Sequence, residues 1–216
     1  MIRTQTMALL VGVAALACGG DSTQPPGPPS DLVKSGGDGQ SWYFHNPLPT
    51  PLSVTAVDLD GRAVPGVAVT WSLVPGSTGA VSPLQSTTNA SGVATTTDSI
   101  GSSTIQMVNA TFTGLAGAVS FTEHATTPPT TASVAVADFS FSPQAVVIQT
   151  GGTVTWTWSG AAPHSVTYDG GPTPRPASSD TKTGSGTYQS TITTVGRYTY
   201  HCSIHPQMTG SVTVVH

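Results

Sequence analysis

The chain has 216 residues, enough for one large domain or two small ones. Charged side chains make up 7% of it, against roughly 25% in an average soluble domain. The formal net charge is −4 and no basic stripe exists, which argues against nucleic-acid binding. Thr, Ser, Gly, Val and Ala dominate, a balance that favours β-structure joined by turns.

The N-terminus reads as an export signal over residues 1–17. Arg3 gives a positive start, and the apolar run from Met7 to Ala17 is too short to span a bilayer as a lasting helix. No other hydrophobic run is long enough to span one. The run ends in Ala15-Leu16-Ala17-Cys18-Gly19-Gly20. This resembles a bacterial lipobox, with Ala15 where Leu is usual. The resemblance implies that Cys18 is lipidated and becomes the new N-terminus. That implies an exported protein anchored to a bacterial membrane, facing the periplasm or the exterior. Ordinary signal cleavage near Ala17 is the alternative. Residues 18–31 contain Gln24-Pro25-Pro26-Gly27-Pro28-Pro29-Ser30, a composition that reads as a tether.

Cysteine usage adds a constraint. Cys18 and Cys202 are the only cysteines. If Cys18 carries lipid, Cys202 has no partner. A lone thiol in an oxidising compartment is a liability unless something, such as a metal, holds it.

Residues 32–125 form a first segment of domain size. Leu52–Val57 alternates apolar and polar residues, as a half-buried strand does. Asp60-Gly61 and Asn89-Ala90-Ser91-Gly92 are turn signals. Further strands are predicted at 67–73, 93–96, 106–112 and 118–122, a spacing that points to a sandwich. Trp42 and Trp71 read as core or edge packing, and His45 and His124 as isolated surface histidines. The run Pro51–Asp58, Asp60-Gly61, Val64-Pro65-Gly66-Val67 and Val69-Thr70-Trp71 resembles the bacterial Ig-like repeats of invasin-type surface proteins. No catalytic constellation occurs in this segment.

Thr126-Thr127-Pro128-Pro129-Thr130-Thr131 is a second break, a linker over 126–131. Residues 132–216 are again β-rich, with strands predicted at 134–136, 145–148, 153–158, 165–168, 191–193, 198–202 and 210–215. The stretch 169–186 reads as a long mobile Gly/Pro/Ser loop. Near the end stands Cys202-Ser203-Ile204-His205-Pro206-Gln207-Met208, with a thiol, an imidazole and a thioether at three-residue intervals. Pro206 and the β-branched flanks argue for a loop between strands rather than a helix. Extended, seven residues would reach roughly 24 Å. Convergence on one ion gives them a reason to fold back. Soft sulfur with imidazole is the donor set that selects copper. His164, at the mouth of a strand after a small-residue turn, is placed to complete it.

Residues 132–216 resemble a cupredoxin, the blue-copper fold of plastocyanin and amicyanin. The resemblance is carried by Phe139-Ser140-Phe141-Ser142-Pro143, Gly151–Trp156, Pro163-His164-Ser165-Val166, Gly196–Tyr200 and Cys202 through Val214. It implies a Greek-key β-sandwich, so the whole chain is expected to be all-β. It also implies one type 1 copper, with His164, Cys202 and His205 as trigonal ligands and Met208 as the long axial one. One departure concerns the residue after the first histidine, often Asn in this family and here Ser165. Ser165 remains able to tie the two ligand loops by a hydrogen bond, so the departure bears on the potential and not on the metal.

With four positions filled, no open site remains for substrate, and the expectation is single-electron transfer rather than catalysis. The partner implied is a redox protein such as a cytochrome or oxidase. By resemblance, electrons cross at the ring edge of His205, inside an apolar patch formed by Pro206, Gln207, Ala161, Ala162 and Pro163. His201 keeps a second reading open. In copper nitrite reductases a His-Cys pair bridges a blue copper to a catalytic one, which would make this an enzyme with a second interfacial copper. Strand alternation sends His201 away from the face of Cys202. A surface adhesion role or copper buffering are the remaining alternatives.

Overall fold

The computed structural model describes residues 24–216; the predicted signal, Cys18 and the first part of the predicted tether lie outside the described residues. The described chain is all-β. Nine strands precede the 127–130 connection: β1 Asp31–Gly36, β2 Ser41–Tyr43, β3 Leu52–Val57, β4 Ala68–Leu73, β5 Gly79–Ser82, β6 Gln85–Thr87, β7 Val93–Ile100, β8 Ile105–Thr111 and β9 Val119–Thr126. Eight follow: β10 Thr131–Ala137, β11 Ser140–Ser142, β12 Ala145–Gln149, β13 Gly152–Trp158, β14 Thr167–Gly170, β15 Gly186–Ile192, β16 Gly196–His201 and β17 Thr209–Val215.

The first nine strands make two sheets, ordered β1-β3-β7-β5 and β2-β9-β8-β4-β6. Their inward residues are those of the period-2 pattern. Leu52, Val54 and Ala56 of β3, Val69 and Trp71 of β4, and Val108 and Ala110 of β8 are buried in one cluster with Phe121. The predicted tether ends differently from expectation. Asp31 already opens β1, Gly27 N donates to Asp58 Oδ2 at 2.8 Å, and Ser30 N donates to Val57 O at 2.8 Å. Extended Pro-rich backbone has free carbonyl and amide groups, and the Asp58 turn gives them partners. β1 and the shorter strands β2, β5, β6 and β11 escape sequence reading because none shows enough alternation to register.

The last eight strands make a second sandwich with its own core. Its sheets are ordered β11-β10-β13-β15 and β12-β17-β16-β14. Between them lie Val136, Val154, Trp156, Val166, Tyr198, Tyr200 and Val212, all buried. The strand directions place the candidate residues. β10 runs parallel to β13, with Val136 opposite Trp158, so both strands finish at one pole. There β10 turns at Asp138–Phe139, and β13 leads on to His164. β16 and β17 are antiparallel, with His201 opposite Thr209, so the Cys202–Met208 loop caps the same pole. At the other end, His216 N donates to Asn46 Oδ1 at 3.0 Å, joining the second sandwich to the first. β17 separates the two ends by roughly 20 Å.

The predicted mobile loop is shorter and better held than its composition implies. β14 extends to Gly170 and β15 starts at Gly186. Between them, Ser179 N donates to Val166 O and Ser179 Oγ accepts from Val166 N, while Lys182 and His164 exchange backbone hydrogen bonds at 2.9 Å in both directions. The segment thus closes over His164 and Val166, which lead into β14.

Candidate metal centre

Cys202 directly follows β16, and three hydrogen bonds curl the segment after it. His205 N donates to Cys202 O at 3.1 Å, Met208 N to His205 O at 2.8 Å, and Cys202 N to Met208 O at 2.9 Å. The extended reach is thereby converted into a compact cap, with backbone donors satisfied inside it. Cys202 and Met208 are buried and His205 is half-buried. His164 is 0% exposed, and its backbone is fixed on both sides by Lys182.

The structure brings three of the predicted donors together. Cys202 Sγ lies 3.7 Å from His164 Nδ1 and 3.7 Å from His205 Nδ1, and the two Nδ1 atoms are 3.2 Å apart. Among the described residues these three form the one cluster of His, Cys and acidic donors with metal-binding spacing. The point equidistant from the three atoms lies about 2.1 Å from each, matching metal–imidazole bonds of about 2.0–2.1 Å and slightly inside a metal–thiolate bond of about 2.3 Å. Two imidazole nitrogens and a sulfur converge on one point, where a cation satisfies all three. Met208 stands beside them through its backbone bond to Cys202 and packs in the same core cluster.

The surroundings hold this arrangement. Ser165 N donates to Cys202 Sγ at 3.4 Å, a contact suited to a thiolate. Ser165 Oγ accepts from Ser203 N at 3.0 Å and lies 2.9 Å from Ser203 Oγ. Trp158 Nε1 donates to His164 O at 3.1 Å. His164 Nε2 is buried without a hydrogen-bond partner, and Asp138 Oδ1 stands 3.5 Å from it. Asp138 is held below the usual carboxylate range, first by the Ala162 backbone donor.

His201 points elsewhere, as strand alternation requires. Its Nδ1 lies 2.6 Å from Asp169 Oδ2. Asp169 is held below its ordinary range, first by Thr199 and then by His201. His45 and His124 are exposed in the first sandwich. Around the triad, Pro163, Pro206 and Gln207 are exposed, together with Ile204 and with Phe139, which is 65% exposed. Phe139 was missing from the sequence-derived patch. The motif around it gave it a place in the fold but no sign that its turn reaches the histidines.

A search of curated proteins gave no match. Solved structures match over part of the chain. A purple cupredoxin from Nitrosopumilus maritimus is 26% identical, over 39% of this chain and 99% of its own, with a TM-score of 0.36. A reduced amicyanin mutant is 31% identical, over 39% of this chain and 82% of its own, also at 0.36. An oxidized amicyanin mutant is 30% identical, over 38% of this chain and 80% of its own, again at 0.36. Residues 129–215 match the family described as copper binding proteins, plastocyanin/azurin family. The second sandwich of this chain is therefore a cupredoxin domain of the plastocyanin/azurin family of copper-binding proteins.

Proposed function

We propose that the chain is an exported, lipid-anchored protein of the cell envelope that passes single electrons through one type 1 copper. His164, Cys202 and His205 would hold the metal, with Met208 as a fourth donor. The observation that carries this reading is the convergence of Cys202 Sγ and the two Nδ1 atoms within 3.7 Å of one another, with Cys202 and His164 buried and His205 half-buried. Bound copper would supply one-electron chemistry between its cuprous and cupric states.

The chain's own residues do the remaining work. Ser165 N supports the thiolate charge on Cys202 Sγ, and the Ser165–Ser203 contacts keep the ligand loops in register. A framework already arranged for the ligands moves little when the metal's charge changes, which favours fast transfer. The half-buried His205 ring is the exit nearest to solvent, in an apolar surround of Phe139, Ile204, Pro163 and Pro206. The first sandwich, read as an Ig-like module, acts as a spacer. Its contact with His216 lies at the end of the cupredoxin domain opposite the triad, which leaves the transfer pole free for a cytochrome or oxidase.

Copper content and the visible spectrum of the full chain test the reading. One copper per chain, with an intense blue or purple band that bleaches reversibly on reduction, is the expected result. Two coppers per chain would return the nitrite-reductase-like alternative. A colourless, redox-silent cuprous form under all conditions would favour buffering.

A further inference from the structure

Asp138 and Phe139 make the turn between β10 and β11 and lie outside the ligand set. Phe139 has a φ of 64°, in the left-handed region that bulky side chains avoid. Its ring is also largely in water. A strained, exposed phenylalanine gains little from burial, so its conformation needs another cause. Its contacts supply one. The ring meets His205 at a centroid distance of 4.9 Å and 79°, and His164 at 6.0 Å and 89°. Both are edge-to-face geometries within the preferred range for aromatic pairs.

Asp138 addresses the far edge of His164. Its Oδ1 lies 3.5 Å from Nε2, the buried nitrogen that has no hydrogen-bond partner. The same oxygen accepts from Ala162 N at 2.8 Å, which fixes the carboxylate in front of the ring. Gly160 leaves the space it needs, because a Cβ there would fall 2.3 Å from Asp138 Oδ1. A neutral imidazole that gives Nδ1 to a metal carries its proton on Nε2, and that proton needs an acceptor.

We propose that the Asp138–Phe139 turn is an outer clamp on the metal centre, in which Asp138 orients the His164 ring through Nε2 and Phe139 holds the His205 ring against the site. This rests on the copper reading of the triad. Both are positioning residues. Outer partners of metal-bound histidines typically change metal affinity by about 10–100-fold when removed.

The test compares the full-length chain with Asp138→Ala, Asp138→Asn, Phe139→Ala and Phe139→Tyr. Copper loss to a chelator, reduction potential and visible spectrum are measured on loaded protein. Histidine ring resonances and thermal unfolding are measured on metal-free protein. Asp138→Ala and Phe139→Ala should lose copper about ten times faster than wild type. Asp138→Asn keeps an acceptor but drops the charge, so it should retain copper while its potential rises. Phe139→Tyr keeps the ring edge and should behave as wild type. Without metal, Phe139→Ala should shift the His205 ring resonances and leave the unfolding midpoint unchanged. Wild-type copper loss and unchanged histidine resonances in both alanine variants would overturn the clamp while leaving the copper reading intact. If Asp138→Ala fails to fold, an unchanged potential in Asp138→Asn overturns the Asp138 half. A wild-type chain that binds no copper would remove the reading on which the clamp rests.

Discussion

Ser165 and Ser203 join the two loops that carry the candidate ligands His164, Cys202 and His205. Ser165 Oγ accepts from Ser203 N at 3.0 Å and sits 2.9 Å from Ser203 Oγ, while Ser165 N donates to Cys202 Sγ at 3.4 Å. One side chain therefore links the residue after His164 to the residue after Cys202.

Ser165→Ala removes that link and leaves Ser203 N without its acceptor. The expected cost is about 1 kcal/mol in unfolding free energy, with faster copper loss. Ser165→Asn restores an acceptor and should recover most of it. Denaturant unfolding and chelator challenge measure the two effects separately, and an alanine variant equal to wild type in both would show the link to be idle.

Cys202→Ser should abolish the intense visible band and leave the sandwich folded, since the substitution is small and the flanking strands are intact. Met208→Leu keeps the volume and removes the thioether. Its colour should persist and its potential should rise, because the axial donor tunes the couple. Colour surviving in the Cys202 variant would show that the ligand set is wrong.

Trp156 is fully buried, and its ring packs on Tyr168, Tyr188 and Tyr200 at 6.2, 5.4 and 5.5 Å. Trp156→Ala should destabilise the cupredoxin domain by about 3–5 kcal/mol through lost burial and the cavity left behind. Thermal unfolding of the metal-free protein checks this, and the first sandwich should keep its own transition.

The first sandwich carries a pH dependence of its own. Asp98 and Glu123 are buried, and burial pushes their carboxyls up to about 6 and about 7. Gln106 donates to Asp98, and Gln40 N donates to Glu123; Asp38 and Asp98 add repulsion on Glu123 and Lys34 opposes it. The ordinary values are 3.8 and 4.5. A raised folded value means that the native state holds protons the unfolded chain has released. The contribution of these two groups is therefore full below about pH 4, falls as pH rises toward about 7, and stays level above. Glu123→Gln should flatten that fall and raise the unfolding midpoint at neutral pH. An unchanged pH profile in this variant would place the proton uptake elsewhere.

Association with a redox partner should depend weakly on salt. The cupredoxin domain carries Asp138, Asp169 and Asp180 against Arg175, Lys182 and Arg197, so no net charge steers the encounter. Stopped-flow rates across an ionic-strength series measure this. A steep decline with salt would point to a charged docking face instead of the apolar pole.

Much of this was legible in the sequence because its signals are local. β3 covers the alternating run Leu52–Val57, and the Cys202–Met208 spacing marked a loop between strands. Ser165 as a tie between loops was what the cupredoxin resemblance implied, and its hydrogen bonds to Ser203 agree with that. The loop over 169–186 was less legible, since its composition does not reveal that Ser179 and Lys182 pair back onto Val166 and His164.

The sequence by itself determined the β-architecture, the donor types and their order along the chain, because alternation and residue chemistry are written in neighbouring positions. Only the tertiary structure decided which atoms meet. His164 and Cys202 are 38 residues apart, and their 3.7 Å approach depends on the parallel pairing of β10 with β13 and the closure of β16 on β17. Phe139 joins them for the same reason. Its left-handed turn ends a strand whose direction is set by its neighbours, so its contact with both histidines is a property of the packed sandwich and of no local motif.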